Sequence, residues 1–353
     1  MEKIRVMHVL GSNRFSGAEN VAYQIIEMFK EKNEYEMVYV SPDGEIRDSL
    51  QKKGVSALFL SKMSCSELKR IIDEWQPSVI HAHDMRATVI SACAAKGIRV
   101  ISHIHNNNFD QRNLNLKSLI YHCVSRKLAH VFWVSESALQ GYFFKKAIQS
   151  KSSVLRNVID LNSILKRVNE DENEYRYDIV FLGRLTYLKN PQRLIHVCKQ
   201  VSEKFPKLRV AIVGTGELEA EVKELVSSLK LADVVDFLGY RNNPYKILKE
   251  SKLLLMTSRT EGTPMCLLEA MALGVPVVST PVGGICEIIS NAENGYLCDT
   301  DEEFVQSILT LLESPEVHEK ISDAVYRRFA EINAVDKYRD ELEQKYMLAM
   351  EER

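Results

Sequence analysis

Short continuous apolar runs alternate along the whole chain with longer stretches whose apolar positions recur every three or four residues. Residues 4–10, 37–40, 79–81, 100–103 and 130–134 form one series of such runs, and 179–182, 209–213, 235–238, 253–256 and 275–279 form a second. A strand covered on both faces reads as an unbroken apolar run, because neither side meets water. Strands alternating with helical patterns predict βαβ units and parallel sheets, so the chain is expected to be α/β throughout. Between the two series lies 166–178, a charged segment without apolar periodicity. It predicts a crossing between a domain over 1–165 and a domain over 166–335. The end of the chain is also helical in pattern. Tyr338, Leu342, Tyr346 and Met350 fall every fourth residue on one stripe, which predicts a helix over 336–353 that packs on the first domain.

The length of 353 residues is enough for two cores of ordinary size. A net charge of −2 gives no global attraction to nucleic acid. Seven scattered cysteines, never in a Cys-x-x-Cys pair, predict reduced core thiols and no zinc site or disulfide framework. Residues 1–10 lead directly into a strand pattern without a signal-peptide apolar stretch, so a cytoplasmic protein is expected. Charge is not evenly spread. The window 111–156 holds Arg112, Lys117, Arg126, Lys127, Lys145, Lys146, Lys151 and Arg156 against one acid, Glu136. With the aromatics Tyr142, Phe143 and Phe144 beside paired lysines, it predicts docking on an anionic membrane surface at the inner face of the plasma membrane. A basic cleft for an anionic sugar is the competing explanation.

The candidate chemistry clusters where strands end. Residues 257–280 read as strand end, glycine loop, helix and strand, with Glu261 at the loop mouth and Glu269 early in the helix. Pro264 suits the first helical turn, and Gly274 with Pro276 ends the helix. Such a loop offers free backbone N–H groups to an anion. Gly183, Arg184 and Lys189 follow another strand, where two cations can converge on a diphosphate. Gly214 and Gly216 form a Gly-x-Gly that lacks the third glycine of a dinucleotide fingerprint, since Glu219 stands there. Tyr240 and Arg241 follow Gly239, and Gly283 with Gly284 precedes Glu287. In the first half, Ser16, Gly17 and Glu19 lie in a loop after the first strand, and His81, His83, His103 and His105 end neighbouring strands. Alternate strand positions put each histidine pair on one face. Four histidines suggest a metal from residue type alone.

Together these residues resemble the retaining, family-four glycosyltransferases. The Glu-x7-Glu element corresponds to Glu261 and Glu269, the Gly-Arg…Lys element to Gly183, Arg184 and Lys189, and Val-Gly-x-Gly to Val213–Gly216. The resemblance implies two facing Rossmann-like domains with parallel sheets (the GT-B architecture). It also implies transfer of a sugar from a nucleotide-sugar donor, UDP-linked, to a saccharide or lipid-linked acceptor in bacterial surface-polysaccharide biosynthesis, with no cofactor and no metal. By the same resemblance Glu261 with Gly262, Thr263, Pro264 and Met265 holds the transferred sugar, Glu269 the ribose, and Arg184 with Lys189 the diphosphate. The base packs near Tyr240 and Arg241. His105, followed by Asn106, Asn107 and Asn108, matches the strand-end histidine that contacts the donor sugar. Ser16, Glu19 and His83 fall on the acceptor side, and Ser16 replaces a glycine of the family's loop, which leaves Gly17 to approach the phosphates. Asn157 and Asp160 match a turn signature in which Val158 replaces glycine. A nucleotide-sugar epimerase of the same fold is the alternative. A nicotinamide-dependent oxidoreductase fits the fold class less well, and a non-catalytic binding module must explain four intact charged positions.

Overall fold

The computed structural model describes residues 3–107 and 109–351; Asn108 and the positions at either end of the chain lie outside the described residues. Two compact units emerge, one from 1–157 with 335–353 and one from 158–334. In chain order the strands are β1 (Ile4–Val9), β2 (Tyr35–Pro42), β3 (Ala57–Leu60), β4 (Val79–His83), β5 (Arg99–Ile104), β6 (His130–Trp133) and β7 (Ser152–Val154) in the first unit. The second unit contributes β8 (Tyr177–Leu182), β9 (Val210–Val213), β10 (Val235–Gly239), β11 (Ser251–Met256), β12 (Val277–Ser279) and β13 (Tyr296–Leu297).

Every strand pairing is parallel, in the order β3-β2-β1-β4-β5-β6-β7 and β10-β9-β8-β11-β12-β13. The chain reverses its direction of travel across each sheet at one point, between β1 and β4 and between β8 and β11. Loops part there, and doubly wound sheets place ligands in that crevice. The core of the second unit includes Ile179, Phe181, Ile212, Leu253 and Leu255, all buried. In the first unit one sheet face carries Met7, Val9, Ile80, Ile104 and Trp133 into an apolar core. Because side chains alternate along a strand, the opposite face receives His8, His81, His83, His103, His105 and His130.

The boundary falls at 157/158, not at 165/166. The helix Leu161–Asn169 begins inside the segment expected to be a crossing. It is held to the second unit because Asn243 Nδ2 donates to the Arg167 carbonyl at 2.6 Å and the Arg167 guanidinium lies 4.7 Å from the Tyr245 ring centre.

The helix Val335–Glu351 covers the histidine face of the first sheet. Tyr338, Leu342 and Tyr346 are buried, but the stripe continues at Ala349, and Met350 is only half-buried. A repeat of four overshoots the 3.6-residue turn, so the buried line steps back to a spacing of three. Three polar contacts fix this helix. The His81 Nδ1 and the Tyr346 hydroxyl are 2.7 Å apart, the Ser153 hydroxyl donates to Glu341 at 2.6 Å, and Lys32 pairs with Glu343 at 2.5 Å.

Two smaller expectations change. Cys198, Cys266 and Cys298 are buried, but Cys65, Cys93, Cys123 and Cys286 are exposed, all as free thiols. Of the three aromatics beside Lys145, Tyr142 is core and Phe144 packs against it, leaving Phe143 exposed. Among the described residues, no helix is long and apolar enough to cross a membrane.

Candidate active site

In the second unit the loops after β8, β9 and β11 are stitched together at the switch point. Gly183 N–H donates to Val213 O at 3.0 Å, Leu185 N–H to Thr215 O at 3.0 Å, and Arg259 N–H to Leu188 O at 2.8 Å. This close lacing is why three glycines are needed, and a Cβ on Gly216 would stand 2.2 Å from the Leu185 carbonyl oxygen. A Cβ on Gly214, whose φ is +134°, would stand 1.9 Å from the Gly183 carbonyl oxygen. One on Gly283, at φ +55°, would stand 1.9 Å from that of Glu261. Any side chain at these places would push the loops apart. Gly283 begins a single 3-10 turn to Glu287 rather than a longer helix.

The lacing brings Lys189 and Glu261 together across 72 positions of sequence. Lys189 Nζ donates to Glu261 Oε1 at 2.6 Å, and the Ser258 hydroxyl donates to the same oxygen at 2.6 Å. The Lys189 side chain is 24% exposed and that of Glu261 10%. Burial works to lower the Lys189 pKa, but the Glu261 carboxylate outweighs it and the ammonium is held charged above its ordinary value; nearby Arg184 opposes slightly. Arg184 is itself exposed at the rim. Lys189 is therefore a fixed, charged donor, whereas Arg184 is free to reach a ligand.

Glu269 is buried in the middle of the helix Met265–Ala272, not in its early part. Pro264 precedes that helix as its cap, with φ −70° and ψ 130°, so the first turn starts one residue later than expected. Desolvation pushes the Glu269 carboxyl up to about 7, partly relieved by the Tyr245 hydroxyl at 3.4 Å from Oε1 and by Arg167. Thr263 and Met265 are buried, Gly262 is buried beside them, and Tyr240 and Arg241 stand exposed after β10. A cavity of about 320 Å³ adjoins this rim, lined by Asn190, Arg193, Ser258 and Arg259 among others. None of Arg184, Lys189, Glu261 and Glu269 lines it.

In the first unit, the β1/β4 switch point forms a smaller cavity of about 180 Å³ whose lining includes Gly11, Glu19, His83, Asp84 and Arg86. Ser16 caps the helix Gly17–Met28 and its hydroxyl donates to the buried Glu19 carboxylate. Ser16 and Gly17 do not line the cavity, and the space where a Gly17 Cβ would stand is open. His105 Nε2 lies 2.7 Å from His83 Nδ1. The His105 backbone N–H donates to Asp84 Oδ1 at 3.2 Å, as does Asn106 Nδ2. Asp84 is in the left-handed region at φ +70°, and burial pushes its carboxyl up to about 7. Asp84 carried no signal in the sequence beyond following His83. Desolvation holds His8 and His105 down to about 3 and His130 to about 4, with His81, His83 and His103 also far below their ordinary value. Asn157 is buried, and the Asp160 side chain caps the helix after it by accepting from Ser163 N–H at 3.1 Å, as a structural turn should.

Two family profiles match adjoining parts of the chain. One, described as Glycosyltransferase Family 4, spans residues 15–163, and one described as Glycosyl transferases group 1 spans 163–328. An uncharacterized glycosyltransferase of Methanocaldococcus jannaschii is 29% identical over 237 residues, 61% of this chain and 58% of its own. The UDP-Gal:alpha-D-GlcNAc-diphosphoundecaprenol alpha-1,3-galactosyltransferase of Escherichia coli is 22% identical across 96% of both chains. The chain spans about half the length of the curated relatives matched first. The crystal structure of Anabaena HepE in complex with UDP-glucose aligns with a TM-score of 0.83 at 18% identity, over 96% of this chain and 98% of that one, a likeness of fold.

Proposed function

The chain belongs to the family-four glycosyltransferases of GT-B architecture, and on that premise we propose that it is a retaining glycosyltransferase using a UDP-linked sugar donor and a saccharide or lipid-linked acceptor in surface-polysaccharide assembly. One arrangement carries the proposal: Lys189 and Glu261 pair beside Arg184 at the β8/β11 switch point, where a doubly wound sheet binds its ligand, and Glu269 lies on the helix that follows. Relatives named for diphosphoundecaprenol acceptors and a structural neighbour solved with UDP-glucose support the donor and acceptor classes.

Arg184 and Lys189 face the diphosphate and stabilise the charge that grows on it as the bond from C1 of the sugar to the phosphate oxygen breaks. Lys189, held by Glu261, and the exposed Arg184 take the place that a metal ion fills elsewhere, so this step is proposed to run without a metal. Glu261, oriented by Ser258, positions the sugar with the segment Gly262, Thr263, Pro264 and Met265. It already donates electron density to Lys189, which suits a positioning role and not a covalent one. Glu269 accepts from the ribose, and Tyr240 and Arg241 flank the base. The acceptor oxygen bonds to C1 on the face the phosphate leaves, and its proton passes to a phosphate oxygen. His105 contacts the donor sugar, while Ser16, Gly17, Glu19 and His83 serve the acceptor side. Incubation with UDP-sugars, with and without saccharide or lipid-linked acceptors, tests the activity. Acceptor-dependent release of UDP, insensitive to EDTA, is expected; isomerisation of donor alone would instead favour an epimerase.

The basic window supports docking at an anionic membrane. Leu114, Leu116, Leu119, Ile120 and Phe143 are exposed there, among the cations Lys117, Lys145 and Lys146, a pairing suited to the headgroup boundary. Vesicles containing anionic lipid should co-sediment with the protein at low salt and lose it after Lys145→Glu with Lys146→Glu. No sedimentation at low salt would end the idea in favour of a soluble cleft.

A further inference from the structure

The histidine face holds more than the reaction uses, since the proposed transfer takes only His83 and His105 from it. His8, His81 and His83 are 0%, 0% and 1% exposed, beneath the helix Val335–Glu351. His8 Nδ1 lies 3.1 Å from His83 Nε2. One ring nitrogen from each of the three falls within 4.8 Å of one from each of the others. Among the described residues, His8 Nε2 and His81 Nε2 have no hydrogen-bond partner. A neutral imidazole carries one donor and one acceptor, so each unmet nitrogen is a buried polar deficit.

We propose that His8, His81 and His83 bind one borderline divalent transition-metal ion, of the Zn²⁺, Co²⁺ or Ni²⁺ class, buried between the first sheet and the terminal helix. Three neutral imidazoles are the donor set such ions prefer. Bonds of about 2.0–2.1 Å at tetrahedral angles place ligand nitrogens roughly 3.3 Å apart, close to the observed His8–His83 separation. The outer nitrogens of two ligands are already held. His81 Nδ1 meets the Tyr346 hydroxyl and His83 Nδ1 meets His105 Nε2, both at 2.7 Å. Such outer bonds fix the ring and tautomer of a ligating histidine. His83 also borders the cavity at the β1/β4 switch point, which gives an ion a way in. The His81 and His83 rings are stacked at 19°, so they must turn to converge on an ion. The site is built from residues of the first unit alone and stands whether or not the proposed transfer is correct. Its role is to fasten the terminal helix.

The test uses untagged, EDTA-stripped full-length protein titrated with CoCl₂, then displaced with ZnCl₂. One ion per chain is expected, with the visible bands of low-coordinate Co²⁺ and no near-ultraviolet sulfur-to-cobalt band, since the seven cysteines are the rival ligands. His81→Gln and His8→Gln, folded by circular dichroism, should bind at least tenfold more weakly, and Tyr346→Phe tenfold or more. His318→Ala, on the surface of the other unit, should bind as wild type does. If the histidine variants fail to fold, the wild-type spectrum and Tyr346→Phe decide the matter. Absence of cobalt bands, a sulfur band, or unchanged affinity in the folded variants overturns the proposal, leaving the three rings as a hydrogen-bonded stack only.

Discussion

Both units bury polar groups at the carboxyl ends of parallel strands, yet they manage charge in opposite ways. The second unit keeps its groups ionised and pairs them. Lys189 is held charged by Glu261 despite burial, with Ser258 completing the carboxylate's bonds. The first unit keeps its groups neutral, since desolvation holds five imidazoles far below their ordinary range and nothing anionic offsets it. Charge held ready without reorganisation is what a developing diphosphate needs. A neutral, stacked face suits contact with uncharged hydroxyls and with a covering helix. Similar sheets thus supply an electrostatic site in one unit and a neutral one in the other, and the difference lies in whether each buried group has a counter-charge.

The sharpest way to break this contrast is to remove the cations. Lys189→Ala and Arg184→Ala should each lower kcat by about 10² to 10³, or roughly 3–4 kcal/mol, with the fold intact by circular dichroism. Lys189→Ala should show the larger loss, because it also leaves Glu261 without its partner. Turnover within a few-fold of wild type in both would remove the diphosphate assignment.

Glu269 resembles the groups of the first unit, a buried carboxyl whose desolvation outweighs the help of Tyr245 and Arg167. Its folded pKa, about 7, exceeds the ordinary 4.5. Between those values the folded chain holds a proton that the unfolded chain has released. Its contribution to stability is therefore full below pH 4.5 and is lost as pH rises through 7, by about 3 kcal/mol. Denaturant titrations of Glu269→Gln should lack that part of the slope, and UDP should bind the variant more weakly. An identical pH dependence in both proteins would show that the carboxyl is not desolvated, and equal UDP affinity would remove the ribose role.

A smaller test sits in the first unit. His103 is fully buried, and among the described residues neither ring nitrogen has a hydrogen-bond partner. Replacing such a group by an apolar one of similar size is neutral or stabilising, so His103→Leu should raise stability by about 1 kcal/mol in chemical denaturation. A loss of 2 kcal/mol or more would mean that the imidazole's polarity is used.

The sequence made the central strands legible because they are buried runs made mostly of apolar residues, and all ten expected runs correspond to strands. The edge strands β3, β7 and β13 were missed. They are short, and Ser152-Ser153-Val154 has no apolar run to notice. The rim motifs were also visible, since glycines and charges at strand ends are local signals. What pairs with what was not. The Lys189–Glu261 contact spans 72 positions, and the need for glycine at 283 comes from the Glu261 carbonyl 22 positions away. The histidine face was half visible. His81, His83, His103 and His105 stood out by alternation, whereas His8 joins them only through the β1–β4 pairing that sets it opposite His81. The unit boundary was displaced because a charged, amphipathic helix such as Leu161–Asn169 reads as linker until its partner helix, Tyr245–Lys249, is known.

Hydrogen exchange on the full chain, with and without saturating UDP, tests most directly the claim that the donor's diphosphate lies on the second unit's rim. Slower exchange is expected in the backbone amides of 183–189, 214–217 and 261–269, with the first sheet's strands unchanged. Protection confined to the first unit, or none at any UDP concentration up to millimolar, would contradict it.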